Sequence, residues 1–369
     1  MRDFKNTKRI VIKVGTSTLS KSGGIDKDYV RNIARQIADL RSQGRQVLLV
    51  TSGAIGMGAG PLKLKGPIVD LKLRQACASV GQPLLMHEYN TAFAELGLVD
   101  SQVLLTAEIL SKRKSYLNLR NAIETLLALG VVPILNENDC VSTAEIGTAF
   151  GDNDKLSALV ASKIDADLLI LLTDIDALYD KDPRTHPDAK PIRVVKEITS
   201  QIAKAAGKKG SAYSTGGMKT KIEAVKIAAT AGYPVVLAHG REPNILSRIL
   251  AGEEIGTLFI PHGEKLSNRK RWILHSRPEG TIYIDEGAMA ALKKKKSLLP
   301  KGITKIEGTF GVGAVVMINS RAKAVISLSS SELRELAGKH SSLIRQVLGP
   351  NRRDVAAVPE DILFLDETV

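Results

Sequence analysis

Cysteine is nearly missing: Cys77 and Cys140 are the only two in 369 residues. Two thiols cannot build a disulfide scaffold or a four-cysteine zinc site. Aromatic residues make up 4% of the chain, with a single tryptophan. The core must therefore come from Val, Ile, Leu and Ala, which favours helices packed on a buried sheet over an aromatic-rich sandwich. No apolar run approaches the roughly 18 residues of a membrane helix, and the opening MRDFKNTKRI lacks the apolar stretch of a signal peptide. A soluble, cytoplasmic protein is expected. Two nucleotide fingerprints are also missing. There is no GxxxxGK[ST] and no GxGxxG after the first apolar run, so neither a P-loop enzyme nor a dinucleotide-binding Rossmann domain is supported.

What the chain has is an ordinary globular balance, 44% hydrophobic and 25% charged, with a net charge of +13. The basic excess is denser after residue 260 and fits either a solvated surface or a polyanion-binding one. The length allows one large domain or two modest ones.

From residue 9 to about 260, short apolar runs alternate with helical patterns. RIVIKV, QVLLVT, SQVLLT, VVPILN, DLLILLTD and YPVVLA read as strands of a parallel sheet covered on both faces. In the stretch 26–44, Val30, Ile33, Ile37 and Leu40 recur at helical spacing, and Gly44 ends the pattern. Further helices are expected around 70–96, 115–129, 153–163, 217–231 and 244–250. The fold class is α/β, a three-layer sandwich with a mainly parallel central sheet, in which ligands bind beyond the strand C-termini. The polar, basic stretch 262–278 reads as a linker between a domain at 1–261 and a small β-rich domain with its tail at 279–369.

Small, glycine-rich segments follow several strands: Gly15-Thr16-Ser17, Ser52-Gly53-Ala54, Gly151-Asp152-Asn153-Asp154 and Ser214-Thr215-Gly216-Gly217. Each exposes backbone N–H groups, and the last leads into a helix, a suitable phosphate cradle. Lys13 interrupts an apolar strand, where a lysine is costly unless it faces an anion. Lys221 opens a helix whose N-terminus also favours negative charge. Asp154 and Asp174 lie beside the glycine loops, where they can orient lysines, help hold Mg²⁺ or cap helices.

VIKVGTS, TSGAI, NENDCV, GDNDKLSALVA, LLTDIDALYDKDPR and STGGMKTK together resemble the glutamate 5-kinases of the amino acid kinase superfamily. The likeness spans nearly the whole chain, because the C-terminal domain is similar to the PUA domain of bacterial members. It implies ATP-dependent phosphorylation of the γ-carboxylate of L-glutamate, the first step towards proline. By motif, Lys13 and Lys221 would contact the transferring phosphoryl group and Asp154 would hold them. Ser52, Asp139 and Asn153 resemble glutamate-binding positions. Lys13, Thr173 and Asp174, with Thr215, Gly216, Gly217, Met218, Lys219, Thr220 and Lys221, resemble ATP-binding ones. No protein ligand is assigned to the metal, since Mg²⁺ would be held by the ATP phosphates. The resemblance also implies a homo-oligomer, feedback inhibition by proline and a functional link to glutamyl phosphate reductase.

The chemistry agrees with this implication. A carboxylate nucleophile is already ionised at neutral pH and needs no general base. Its difficulty is approach to a triphosphate, which cations and preorganised N–H donors relieve. Asp139 is suited to face the substrate ammonium. Two other readings stand beside this one: an RNA-binding or RNA-modification-associated protein, and a kinase of another acid such as N-acetylglutamate or aspartate. The chain after residue 261 carries only Trp272, Tyr283, Phe310 and Phe364 as aromatics, few for stacking on bases, so RNA binding is not expected of the C-terminal domain.

Overall fold

A computed structural model of the chain describes residues 2–21, 24–141, 153–183, 185–199, 202, 217–261, 265–340, 349 and 355–365. It opens with β1 (Arg9–Val14), α1 (Thr16–Leu19), β2 (Ser20–Lys21), β3 (Gly24–Ile25), α2 (Lys27–Ser42), β4 (Gln46–Val50), α3 (Ala54–Ala59) and α4 (Leu71–Ala94). Next come β5 (Asp100–Leu105), α5 (Ala107–Ser111), α6 (Arg113–Ala128), β6 (Val132–Glu137) and α7 (Asn153–Lys163). Then follow β7 (Leu168–Thr173), β8 (Leu178–Tyr179), β9 (Pro191–Ile192), β10 (Val194–Val195), α8 (Met218–Ala231), β11 (Val235–His239), α9 (Ile245–Leu250) and β12 (Thr257–Phe259).

The main sheet has the order β10-β12-β11-β7-β1-β4-β6-β5. Its neighbours are parallel except β11 with β12. Side chains alternate between the faces of a strand, and both faces here are apolar. Val11, Leu48, Leu169 and Val235 pack with Ile123, Leu156 and Val225 of α6, α7 and α8. Ile10, Leu49, Ile170 and Val236 pack with Ile33, Leu85 and Ile249 of α2, α4 and α9. The result is the expected three-layer α/β sandwich. Helix α2 starts where Asp26 accepts a hydrogen bond from the Tyr29 N–H, and its buried stripe is the one the apolar spacing indicates.

The chain divides into two compact units, one of residues 1–110 and 114–265, the other of 111–113 and 266–369. The second contains α10 (Asn268–His275), β13 (Gly280–Ile284), α11 (Glu286–Lys293), β14 (Ile303–Gly308), β15 (Val315–Ile318), β16 (Ala322–Val325), α12 (Ser330–Leu336) and β17 (Ile362–Phe364). Its strands form a separate sheet, β14-β13-β15-β16-β17, over a core that includes Ile282, Leu292, Val316 and Leu333.

One expectation is corrected. The stretch 262–278 is not a plain linker, because α10 lies inside it with Trp272 and Ile273 fully buried. Arg269 forms a two-pronged ion pair with Asp361, and Lys323 Nζ donates to the carbonyls of Leu274 (2.6 Å) and Ser276 (2.8 Å). The Trp272 indole N–H reaches the Ser111 carbonyl at 2.9 Å.

Candidate active site

Lys13 sits near the C-terminal end of β1, on the face that Val11 shares with α7 and α8. It is 3% exposed, and an isolated ammonium at that depth requires a counter-charge. Asp154, in the first turn of α7, supplies it: Lys13 Nζ lies 2.7 Å from Asp154 Oδ1. The second oxygen of the same carboxylate is 3.1 Å from Lys221 Nζ, in the first turn of α8. Thr220 Oγ1 also donates to Asp154 Oδ2 at 3.1 Å. Two lysines thus share one carboxylate, and the trio keeps a charge of +1 where two helix N-termini add partial positive charge. Lysines and helix N-termini in this arrangement can attract an anion.

A second cluster adjoins the first through the sequence neighbours Asn153 and Asp154. The Asn153 side-chain amide donates to the Thr51 carbonyl, to Ser52 Oγ (3.0 Å) and to Asn136 Oδ1 (2.8 Å). Ser52 follows β4, and Gly53 after it has φ of +104°, a left-handed turn that glycine accepts without strain. The turn leads into α3, which packs on α4.

Asp139 lies in the loop after β6, half-buried, and makes no hydrogen bond among the described residues. Burial, reinforced by the negative charge of Glu137, pushes its carboxyl up to about 6, with Arg74 acting in the opposite direction. A carboxylate left in that position is receptive to a cationic group.

Thr173 closes β7, its hydroxyl donating to Asp174 Oδ1 at 3.0 Å, and the Gly15 N–H donates to the neighbouring Leu172 carbonyl at 3.2 Å. Gly217 caps α8, and Met218, Lys219 and Thr220 form its opening turn. Lys219 is exposed and Lys221 buried, so these two lysines face different surroundings. Thr215 and Gly216 lie outside the described residues, as do Gly151 and Asp152. The structure therefore joins Lys13, Asp154, Thr220 and Lys221 in one cluster and Ser52 with Asn153 in another. Asp139, Thr173 and Asp174 share no hydrogen bond with either cluster among the described residues. Two residues the sequence did not single out are Asn136, although it stands in the NENDCV motif, and Gln82, whose signal is an amide among the mainly apolar residues on the buried side of α4.

Residues 8–239 match the Amino acid kinase family, and residues 280–348 match the PUA domain. A glutamate 5-kinase of Methanosarcina mazei is 46% identical, over 99% of this chain and 98% of its own length. A glutamate 5-kinase of Caldanaerobacter subterraneus is 46% identical over 97% of this chain and 98% of its own length. Among solved structures, carbamate kinase from Giardia lamblia bound to AMP-PNP shares the fold, with a TM-score of 0.51 and 16% identity over 69% of this chain and 99% of that one. With relatives that align across both units, the chain belongs to the glutamate 5-kinases, members of the amino acid kinase family that carry a PUA domain.

Proposed function

We infer that this chain transfers the γ-phosphoryl group of ATP to the γ-carboxylate of L-glutamate, giving ADP and L-glutamyl 5-phosphate, the first step of proline biosynthesis. The observation that carries this reading is Asp154 bridging Lys13 and Lys221 beside the Asn153–Ser52 cluster, in a chain similar from end to end to glutamate 5-kinases. The RNA-binding alternative is not favoured, because those kinases account for the C-terminal unit as well.

The γ-carboxylate of glutamate, with a pKa of about 4.3, is ionised at neutral pH. One of its oxygens attacks the γ-phosphorus; a new O–P bond forms as the bond from that phosphorus to the ADP oxygen breaks. No proton moves, so no general base is needed. Lys13 and Lys221 take up the negative charge that spreads over the transferring group, and Asp154 holds the two ammonium groups at a fixed spacing. Ser52 and Asn153 hold the glutamate, and Asp139 faces its ammonium. Thr173 and Asp174, with the segment from Thr215 to Lys221, hold the nucleotide. Mg²⁺ bound with ATP would offset part of the phosphate charge, and no side chain of this chain is assigned to hold it. Asp154 fits this arrangement, since each of its oxygens already faces a lysine.

The chemistry belongs to residues 1–261, with the PUA domain beyond it. A homo-oligomer inhibited by proline is part of this reading, as is a cytoplasmic location. No described helix is long and apolar enough to cross a membrane. The acyl phosphate product is short-lived in water, which supports a functional link to glutamyl phosphate reductase. The test is ADP release dependent on glutamate, compared with N-acetylglutamate and aspartate at equal concentration. Glutamate is expected to be much the best acceptor; equal or faster release with either competitor would overturn the assignment.

A further inference from the structure

Behind Asn153 runs a row of side-chain amides. Asn136 Nδ2 donates to Gln82 Oε1 at 2.8 Å, and Gln82 Nε2 donates to Gln102 Oε1 at 3.0 Å. Asn136 ends the alternating series Val132, Ile134, Asn136 on the face of β6 that α4 covers, and Gln82 comes down from α4 to meet it. Gln102, on the edge strand β5, is exposed. The row thus crosses from the candidate glutamate site to the protein surface.

Its polarity is set by backbone groups. The Glu137 N–H can only donate, and it donates to Asn136 Oδ1 at 2.9 Å. That fixes which end of the Asn136 amide is oxygen and turns Nδ2 towards Gln82. Gln82 must then present its oxygen to Asn136 and its nitrogen to Gln102. At the other end the Thr51 carbonyl can only accept, so the atom of Asn153 facing it is the nitrogen. Asn136 Oδ1 takes a hydrogen bond from that same nitrogen. Asn153 Oδ1 has no part in these bonds and is the acceptor left for a ligand donor such as an ammonium.

We propose that Gln82 is a positioning residue for the glutamate site: as acceptor for Asn136 Nδ2, it holds the Asn136 amide in place, and through it the neighbouring Asn153. The proposal rests on the glutamate reading above. A side chain kept here only to fill space would be better as an apolar residue, because each buried amide gives up its hydration. A fully satisfied polar row instead fixes one arrangement of its members.

Two near-isosteric variants of the full-length enzyme separate the alternatives. Gln82→Met keeps the volume and loses the acceptor; it is expected to raise KM for glutamate about three- to tenfold, the value of one hydrogen bond, with KM for ATP unchanged. Gln82→Glu keeps an acceptor for Asn136 and is expected to stay near the wild-type KM. A space-filling role gives the reverse order, with Q82M normal and Q82E impaired, and would overturn the proposal. So would equal increases in KM for glutamate and ATP. If Q82M does not fold, Gln102→Leu at the exposed end decides: a roughly twofold rise in glutamate KM alone supports the proposal, and no change refutes it. If the wild-type enzyme forms no glutamate-dependent ADP, the functional reading fails instead. The row is then judged by hydrogen exchange of the Asn136 and Asn153 side-chain amides, slower in wild type than in Q82M if the proposal holds and equal if it does not.

Discussion

Lys13 Nζ lies 2.7 Å from Asp154 Oδ1, with both side chains almost wholly shielded from water. The pair joins the central strand β1 to the first turn of α7, and Lys221 brings α8 to the same carboxylate. Among the described residues, one carboxylate serves two ammonium groups here. Under the function proposed above, an incoming phosphoryl group would bring further negative charge to the two lysines.

Lys13→Ala and Lys221→Ala are each expected to lower turnover by orders of magnitude while the fold survives. Removing a preorganised charge from a transition state costs roughly 3 to 4 kcal/mol. Steady-state rates, with folding checked by circular dichroism, measure this; near-normal turnover in either variant would remove that lysine from the mechanism.

Asp154→Asn should be worse for stability than either lysine change. It leaves two buried ammonium groups facing a neutral amide, and stripping one partner from a buried ion pair costs roughly 3 to 5 kcal/mol. Urea unfolding should show the loss. High phosphate should restore part of it, since an anion that binds only the folded state stabilises it.

Asp139 supplies a pH prediction. Its carboxyl is raised from 3.8 to about 6 by burial and then by the charge of Glu137. Between those values the folded protein keeps a proton that the unfolded chain has released, so Asp139 lowers stability as pH rises through that window. Binding an ammonium needs the ionised form. KM for glutamate should therefore fall as pH rises through about 6 and level off above it, with KM for ATP much flatter. Asp139→Asn should raise glutamate KM and abolish that step; a step that survives in the variant belongs to another group.

How much of this was legible beforehand depended on whether the signal was local. RIVIKV and DLLILLTD announce strands because buried parallel strands are apolar on both faces. Lys13 stood out because it breaks such a run. Asp154 and Lys221 were legible from the glycine loop and the helix start, and the resemblance implied that Asp154 holds both lysines; which of its oxygens meets which lysine needed the folded chain. The short strands β8, β9 and β10 and the antiparallel pairing of β12 carry too few residues for periodicity. Helix α10 was hidden because half of NRKRWILH is basic, and its burial rests on Arg271, Trp272 and Ile273. Gln82, Asn136 and Asn153 are far apart in sequence, and only the strand order and α4 bring them together.

The contact between α3 and α4 is made of backbone. A Cβ on Gly81 would lie 1.9 Å from the Ala54 carbonyl oxygen and 2.4 Å from the Gly58 nitrogen, and one on Gly58 would lie 1.9 Å from the Cys77 carbonyl oxygen. Neither helix can yield by rotating a side chain. Gly81→Ala should push α3 away from α4 and carry the Ser52–Gly53 turn with it. Overpacking typically costs about 1 to 3 kcal/mol, and glutamate KM should rise alongside the loss of stability. A variant with wild-type stability in urea would mean the helices adjust without consequence.

The last prediction concerns the PUA domain. A chain ending at residue 261 is expected to retain glutamate-dependent ADP formation, because Lys13, Ser52, Asp139, Asn153, Asp154, Thr173, Asp174 and Lys221 all precede that point. The cut is less clean than a linker would make it. Residues 111–113 belong to the second compact unit, where the Ser111 carbonyl accepts from the Trp272 indole and from Ser276 Oγ, and the Arg113 guanidinium lies 5.4 Å from the Trp272 ring centre. Truncation leaves these three residues behind without α10. The shortened protein should therefore melt below the full-length chain, by an amount that Trp272→Ala in the intact chain reproduces in part. Activity should follow the folded fraction at each temperature. A truncated protein that is folded by circular dichroism yet forms no ADP with glutamate would show that the second unit supplies something the chemistry needs.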